Sequence, residues 1–89
     1  MNSSKNWGLK IDEVVYKELN KFPTKYSEKI VGVIESLSYD AYLGDIRKIK
    51  GEKNLWRRRI GSYRIFYEIS KTKKTIHVFW VERRTSNTY

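Results

Sequence analysis

Hydrophobic and polar positions change period along the 89-residue chain, and each change marks an element. Trp7, Leu9 and Ile11 alternate with Gly8 and Lys10, the two-residue period of a half-buried strand. Asp12 then suits a helix cap, and from there Val15, Leu19 and Phe22 recur at spacings of four and three, lining one helical face. This first helix is predicted to end near Phe22. Pro23 stops it, because proline disfavours helical geometry in the residue before it, and proline also suits the start of a following helix. That second helix is predicted from about Thr24 to Leu37, with Tyr26, Ile30, Val33, Ile34 and Leu37 as its apolar stripe. Ser38 to Asp45 reads as a loop containing Gly44, Ile46 to Lys50 as a strand, and Gly51 to Asn54 as a turn.

Leu55 to Ile60 and Tyr63 to Ser70 are strand-like and flank Gly61-Ser62. Glycine followed by a small residue is what a two-residue type II′ hairpin requires, because glycine takes positive φ without penalty. Thr75 to Glu82 is the last predicted strand, and its run Ile76-His-Val-Phe-Trp-Val81 implies a position covered on both faces. The expected fold is therefore α+β: an N-terminal strand, a helical hairpin, then a mostly antiparallel four-stranded meander, with the hairpin on one sheet face. Residues 1–89 read as a single domain, as the length allows room for one modest core.

Charge narrows the partner. Nineteen Lys and Arg stand against 10 Asp and Glu, a formal net charge of +9, which favours an acidic surface such as nucleic acid, a membrane or an acidic protein. With no cysteine and one histidine, His77, the chain has neither a disulfide framework nor a thiolate metal site, and a reducing compartment is expected. The first residues lack the apolar core of a signal peptide, and no run approaches the length of a membrane span, so a soluble cytoplasmic protein is expected.

The chemistry concentrates in Leu55-Trp-Arg-Arg-Arg-Ile-Gly-Ser-Tyr-Arg-Ile-Phe-Tyr67. Alternation puts Arg57 and Arg59 on one face, opposite Trp56 and Ile60, while Tyr63, Ile65, Tyr67 and Ile69 share a face and leave Arg64 on the other. If the apolar side packs on the helices, Arg57, Arg59 and Arg64 converge on the open face. Guanidinium groups so close repel unless an anion sits among them, and their rigid fork matches phosphate oxygens. Phe66 and Tyr89 could stack bases beside them. Arg58 falls on the core face and is expected to snorkel to the sheet edge or meet a carboxylate. His77, among apolar neighbours, reads as structural, the helix carboxylates as caps and solvated positions, and Lys71, Lys73 and Lys74 as a solvated turn.

The helical hairpin, then Lys48-Ile-Lys-Gly51, the arginine hairpin, and Val81-Glu-Arg-Arg-Thr-Ser-Asn-Thr-Tyr89 together resemble the RelE/ParE superfamily of toxins from type II toxin–antitoxin systems. An arginine followed six residues later by a C-terminal tyrosine favours the RelE-like branch, in which the concave sheet face binds messenger RNA in the ribosomal A site. There the 2′-hydroxyl attacks the adjacent phosphate without a metal or other cofactor, and translation stops.

Carried over by position, the resemblance implies Arg57 and Arg59 as basic strand residues and Arg64 as the phosphate-stabilising arginine. It makes Arg83 the general-acid or charge-stabilising arginine and Tyr89 the base-stacking tyrosine. Lys50 and Lys53 become further RNA contacts. Fixed cations aimed at a pentavalent phosphorane lower the barrier by stabilising its charge more than that of the ground state. The implied partners are messenger RNA on the ribosome and an acidic antitoxin, with no membrane. Two departures bear on mechanism. Some relatives have lysines where Arg57 and Arg59 stand, and an arginine cannot serve as a base near neutral pH. Many also have histidine where this chain has Glu82. The base is left open among Tyr89, Lys50, Lys53 or no discrete group. Inhibition of DNA gyrase without catalysis, as in ParE, and RNA binding without activity are the alternatives.

Overall fold

A computed structural model describes residues 7–42 and 44–84. The chain runs β1 (Gly8–Ile11), α1 (Glu13–Leu19), α2 (Thr24–Ser36), β2 (Ile46–Lys48), β3 (Leu55–Ile60), β4 (Tyr63–Ser70) and β5 (Thr75–Arg83). The five strands form one sheet in the order β1-β5-β4-β3-β2. Strands β2 to β5 are the antiparallel meander, and β1 closes the far edge by pairing parallel to β5. The α+β class and the element order agree with the sequence pattern.

Local chemistry accounts for the joints. Gly61 takes φ +56 between β3 and β4, as a type II′ turn requires at its first central residue. Pro23 sits at the cap position of α2, its carbonyl accepting from the amides of Tyr26 and Ser27, while the Ser27 hydroxyl donates to Leu19 O at 2.6 Å and clasps the two helices. α1 stops at Leu19, three residues before the predicted end. Phe22 instead turns inward, its ring 4.8 Å from that of Tyr63. Asp12 occupies the cap position of α1, yet its carboxylate makes no capping bond and reaches β5, where Oδ1 lies 2.7 Å from His77 Nε2. His77 is thus a half-buried tie between β5 and the start of α1, consistent with a structural histidine.

Val15 and Leu19 of α1, with Ile30, Ile34 and Leu37 from α2 and its end, seal one sheet face against Tyr63, Ile65, Tyr67, Ile69, Ile76, Val78 and Val81. Each large aliphatic side chain buried there contributes on the order of 1.5–3 kcal/mol. Tyr67 is fully buried, and its hydroxyl donates to Ala41 O at 2.8 Å. Burial pushes its phenol from 10.0 up to about 12, with the nearby Arg58 charge pulling the other way. Arg58 itself lies on this face and extends sideways over Gly44, which takes φ +96. A Cβ there would fall 2.3 Å from the guanidinium carbon, so only glycine leaves space for it.

β5 departs from the expectation of cover on both faces. It is central in the sheet, but the helices cover one side only, and His77, Phe79 and Trp80 keep part of their surface open on the other. A bulge explains how a near-continuous apolar run fits such a strand. Phe66 pairs with Trp80 while the next residue, Tyr67, pairs with Val78, so Phe79 is an extra residue and both aromatics fall on the open face.

Candidate functional site

Antiparallel partners share a face, so the register of the hairpin assigns every arginine. Arg59 stands opposite Arg64, Arg57 opposite Phe66, and Arg47 opposite Arg57. All four lie on the face without helices. Beyond Arg64, β5 contributes Glu82 to the same face. The result is a small hollow of about 30 Å³ lined by Arg47, Arg57, Arg59, Arg64, Arg84 and Asp45. Five guanidinium groups around one depression oppose each other at short range, and two carboxylates offset part of that repulsion. Arg59 Nε donates to Asp45 Oδ2 at 2.9 Å, and Arg64 Nη1 lies 3.5 Å from Glu82 Oε2. Trp80 Nε1 donates to the other Glu82 oxygen at 3.2 Å. Beside the hollow, Phe66, Phe79 and Trp80 make an aromatic patch, with the Phe66 and Phe79 ring centroids 6.4 Å apart.

The structure therefore brings together Arg57, Arg59, Arg64 and Phe66, and does not bring in Arg83, Lys50 or Lys53. Arg83 pairs with Tyr63 and projects to the helix side, its guanidinium 5.9 Å from the Tyr63 ring centre. There it helps line a separate cleft of about 270 Å³ with Tyr26 and Lys29. The Phe79 bulge is the cause. Strict alternation from His77 would carry residue 83 to the open face, but one inserted residue reverses the parity, so Arg84 points into the hollow and Arg83 away from it. Lys50 and Lys53 are exposed in the turn between β2 and β3, at the opposite end of β3 from Arg59, and line no part of the hollow. Tyr89 lies outside the described residues.

Four residues missed from sequence join the site: Arg47, Asp45, Glu82 and Arg84. The alternation of Ile46 and Arg47 was a usable signal for the first. The others needed strand pairing or the bulge. A roomier groove, about 610 Å³, runs along the outside of the helical hairpin past Tyr16, Phe22 and Val31 and shares no residue with the hollow. Volume and charge thus point to different places.

Residues 9–87 match the family described as the ParE toxin of type II toxin–antitoxin systems, parDE. The chain belongs to that family. This ParE-family chain also superposes on solved toxins. Against the archaeal RelE–RelB complex from Pyrococcus horikoshii OT3 the identity is 24% and the TM-score 0.79, over 93% of this chain and 100% of that one. The RelB–RelE antitoxin–toxin complex from Methanococcus jannaschii gives 29% and 0.70, over 83% and 88%. The isolated E. coli RelE toxin gives 18% and 0.75, over 91% and 87%. No curated protein sequence matches the chain. The ParE-family toxin thus has the fold of RelE toxins, as the resemblance to the RelE/ParE superfamily implied. No helix among its described residues is long and apolar enough to cross a membrane.

Proposed function

We propose that this toxin is a messenger RNA endoribonuclease that works on the ribosome in the cytoplasm and is silenced by a cognate antitoxin. The observation that carries the reading is the hollow of five arginines beside an aromatic patch on one uncovered sheet face. A single-stranded nucleic acid asks for that pairing, because guanidinium groups hold its phosphates and aromatic rings stack its bases. In the reaction, the 2′-hydroxyl oxygen attacks the adjacent phosphorus and the 5′-oxygen leaves, giving a cyclic phosphate. Arg64, partly shielded at the centre of the sheet, is the foremost cation for the charge that grows on the non-bridging oxygens. Arg57, Arg59, Arg47 and Arg84 surround it and hold the flanking phosphates, with Phe66 and Tyr89 stacking bases. Lys50 and Lys53 add attraction from the sheet margin.

An acidic antitoxin segment fits the same face by charge. The structures of similar RelE toxins in complex with RelB support a protein partner of this kind. A second reading, gyrase inhibition without catalysis, is favoured by the match to the ParE family. Primer extension on messages from cells expressing the toxin separates the two. Discrete cuts within translated codons are expected, and they should vanish in Arg64→Ala. Intact messages together with inhibited DNA supercoiling would select the gyrase reading instead.

A further inference from the structure

The arginines leave one chemical role unfilled, since none of them can take the proton from the 2′-hydroxyl near neutral pH. From the strand register we infer that Glu82 is the general base, an inference that rests on the endoribonuclease reading. Glu82 stands directly opposite Arg64 on the open face, and two residues along both strands Trp80 stands opposite Phe66. Two residues of strand span about 7 Å. That is the reach from a phosphate to the base of its own nucleotide. With a phosphate on Arg64 and a base on the Phe66 and Trp80 rings, the ribose lies between the two pairs, beside the Glu82 carboxylate that reaches toward Trp80.

The carboxylate is held for this task. Oε1 accepts from the Trp80 indole and Oε2 faces Arg64, which leaves a lone pair on each oxygen for an incoming hydroxyl. Its side chain is 36% exposed, so substrate can reach it. Asp45, the other carboxylate at the hollow, is held at 2.9 Å by Arg59 Nε and sits in the loop before β2, away from the aromatic patch. Arg64 from β4 faces Glu82 directly, while Arg57 and Arg59 from β3, Arg47 from β2, Arg84 beyond β5 and Asp45 line the neighbouring hollow.

In the step itself, the 2′-O–H bond breaks and its proton passes to Glu82 as the 2′-O–P bond forms. The P–O5′ bond breaks, and the 5′-oxygen leaves with the bonding pair and takes a proton from solvent water. Glu82 then returns its proton to solvent, so the cycle is balanced.

Single-turnover cleavage of a defined message on programmed ribosomes, measured across pH for wild type, Glu82→Gln and Glu82→Asp, tests this. Wild-type cleavage should weaken on the acid side as the carboxylate is protonated. Glu82→Gln should cut at least about 100-fold more slowly with that acid limb gone, while ribosome binding and melting temperature hold. Glu82→Asp should recover part of the rate together with the limb. Cutting by Glu82→Gln within threefold of wild type, or a loss confined to binding with the limb intact, would overturn the assignment while leaving the nuclease reading in place. A wild-type protein that makes no cuts at all defeats both.

Discussion

On the helix-covered face Ile65, Tyr67, Val78 and Val81 are sealed from water, whereas one residue away on the same strands Arg64, Phe66, Trp80 and Glu82 keep part of their surface open. The covered face holds thirteen buried hydrophobic residues in one cluster together with the helices, and among the described residues no buried residue is charged. The open face gathers five arginines, an arrangement that raises the energy of the free protein and is relieved by an anion. The packed core therefore lies on one side of the sheet and the arginine hollow on the other, separated by a single backbone layer. Substitutions that respect the pleat should divide in the same way.

The largest effect belongs to the covered face. Ile65→Ala should cost about 2–5 kcal/mol in urea denaturation, through lost burial and the cavity left behind. A loss under about 1 kcal/mol would mean that this face is not the one holding the fold. Next is Arg64→Ala, where removing a donor from the developing charge should slow cleavage by about 10²–10³-fold, equivalent to about 2.7–4 kcal/mol. Its unfolding free energy should move by no more than about 0.5 kcal/mol. Were the melting midpoint to fall as far as that of Ile65→Ala, the two faces would not be separable.

Tyr67→Phe probes a hydroxyl sunk in the core and bonded to the backbone. Losing the bond to Ala41 O should cost about 1 kcal/mol at neutral pH. The sign reverses in alkali. Because burial raises the folded phenol to about 12 from 10.0, its contribution is intact below pH 10 and is lost as pH rises through 12, when the unfolded chain gains by ionising first. Denaturation series at successive pH values should show wild type losing stability across that window relative to Tyr67→Phe, and parallel curves would refute the burial effect. The smallest difference is the sharpest test of the bulge. In binding of a single-stranded RNA oligonucleotide, Arg84→Ala should reduce the slope of log affinity against log salt by about 0.7, and Arg83→Ala should leave it unchanged.

Much of the fold is legible in the chain because its signals are local. The bounds of β3 and β4 follow from Gly61-Ser62 and from alternation on either side, and Pro23 separates the helices in both sequence and structure. The same alternation puts Arg57, Arg59 and Arg64 on one face, since a regular strand leaves a side chain only two directions. Arg47, Asp45 and Glu82 needed the pairing of β2 with β3 and of β4 with β5, which are contacts between distant parts of the chain. The Asp12 carboxylate shows the same limit. Its position marks a helix start, but its bond goes to His77, sixty-five residues away.

By itself the sequence determined the elements, their order, the hairpin turn and the basic character of one strand face, all set by propensity and period within a few residues. Which tail arginine joins that face was decided only by tertiary structure. The pairing of β4 with β5 accommodates Phe79 as an extra residue, turning Phe79 and Trp80 to the open side. That one residue reverses the alternation beyond it, carrying Glu82 and Arg84 to the open face and Arg83 to the helices, because side chains in a strand repeat every two residues and a shift of one exchanges the faces.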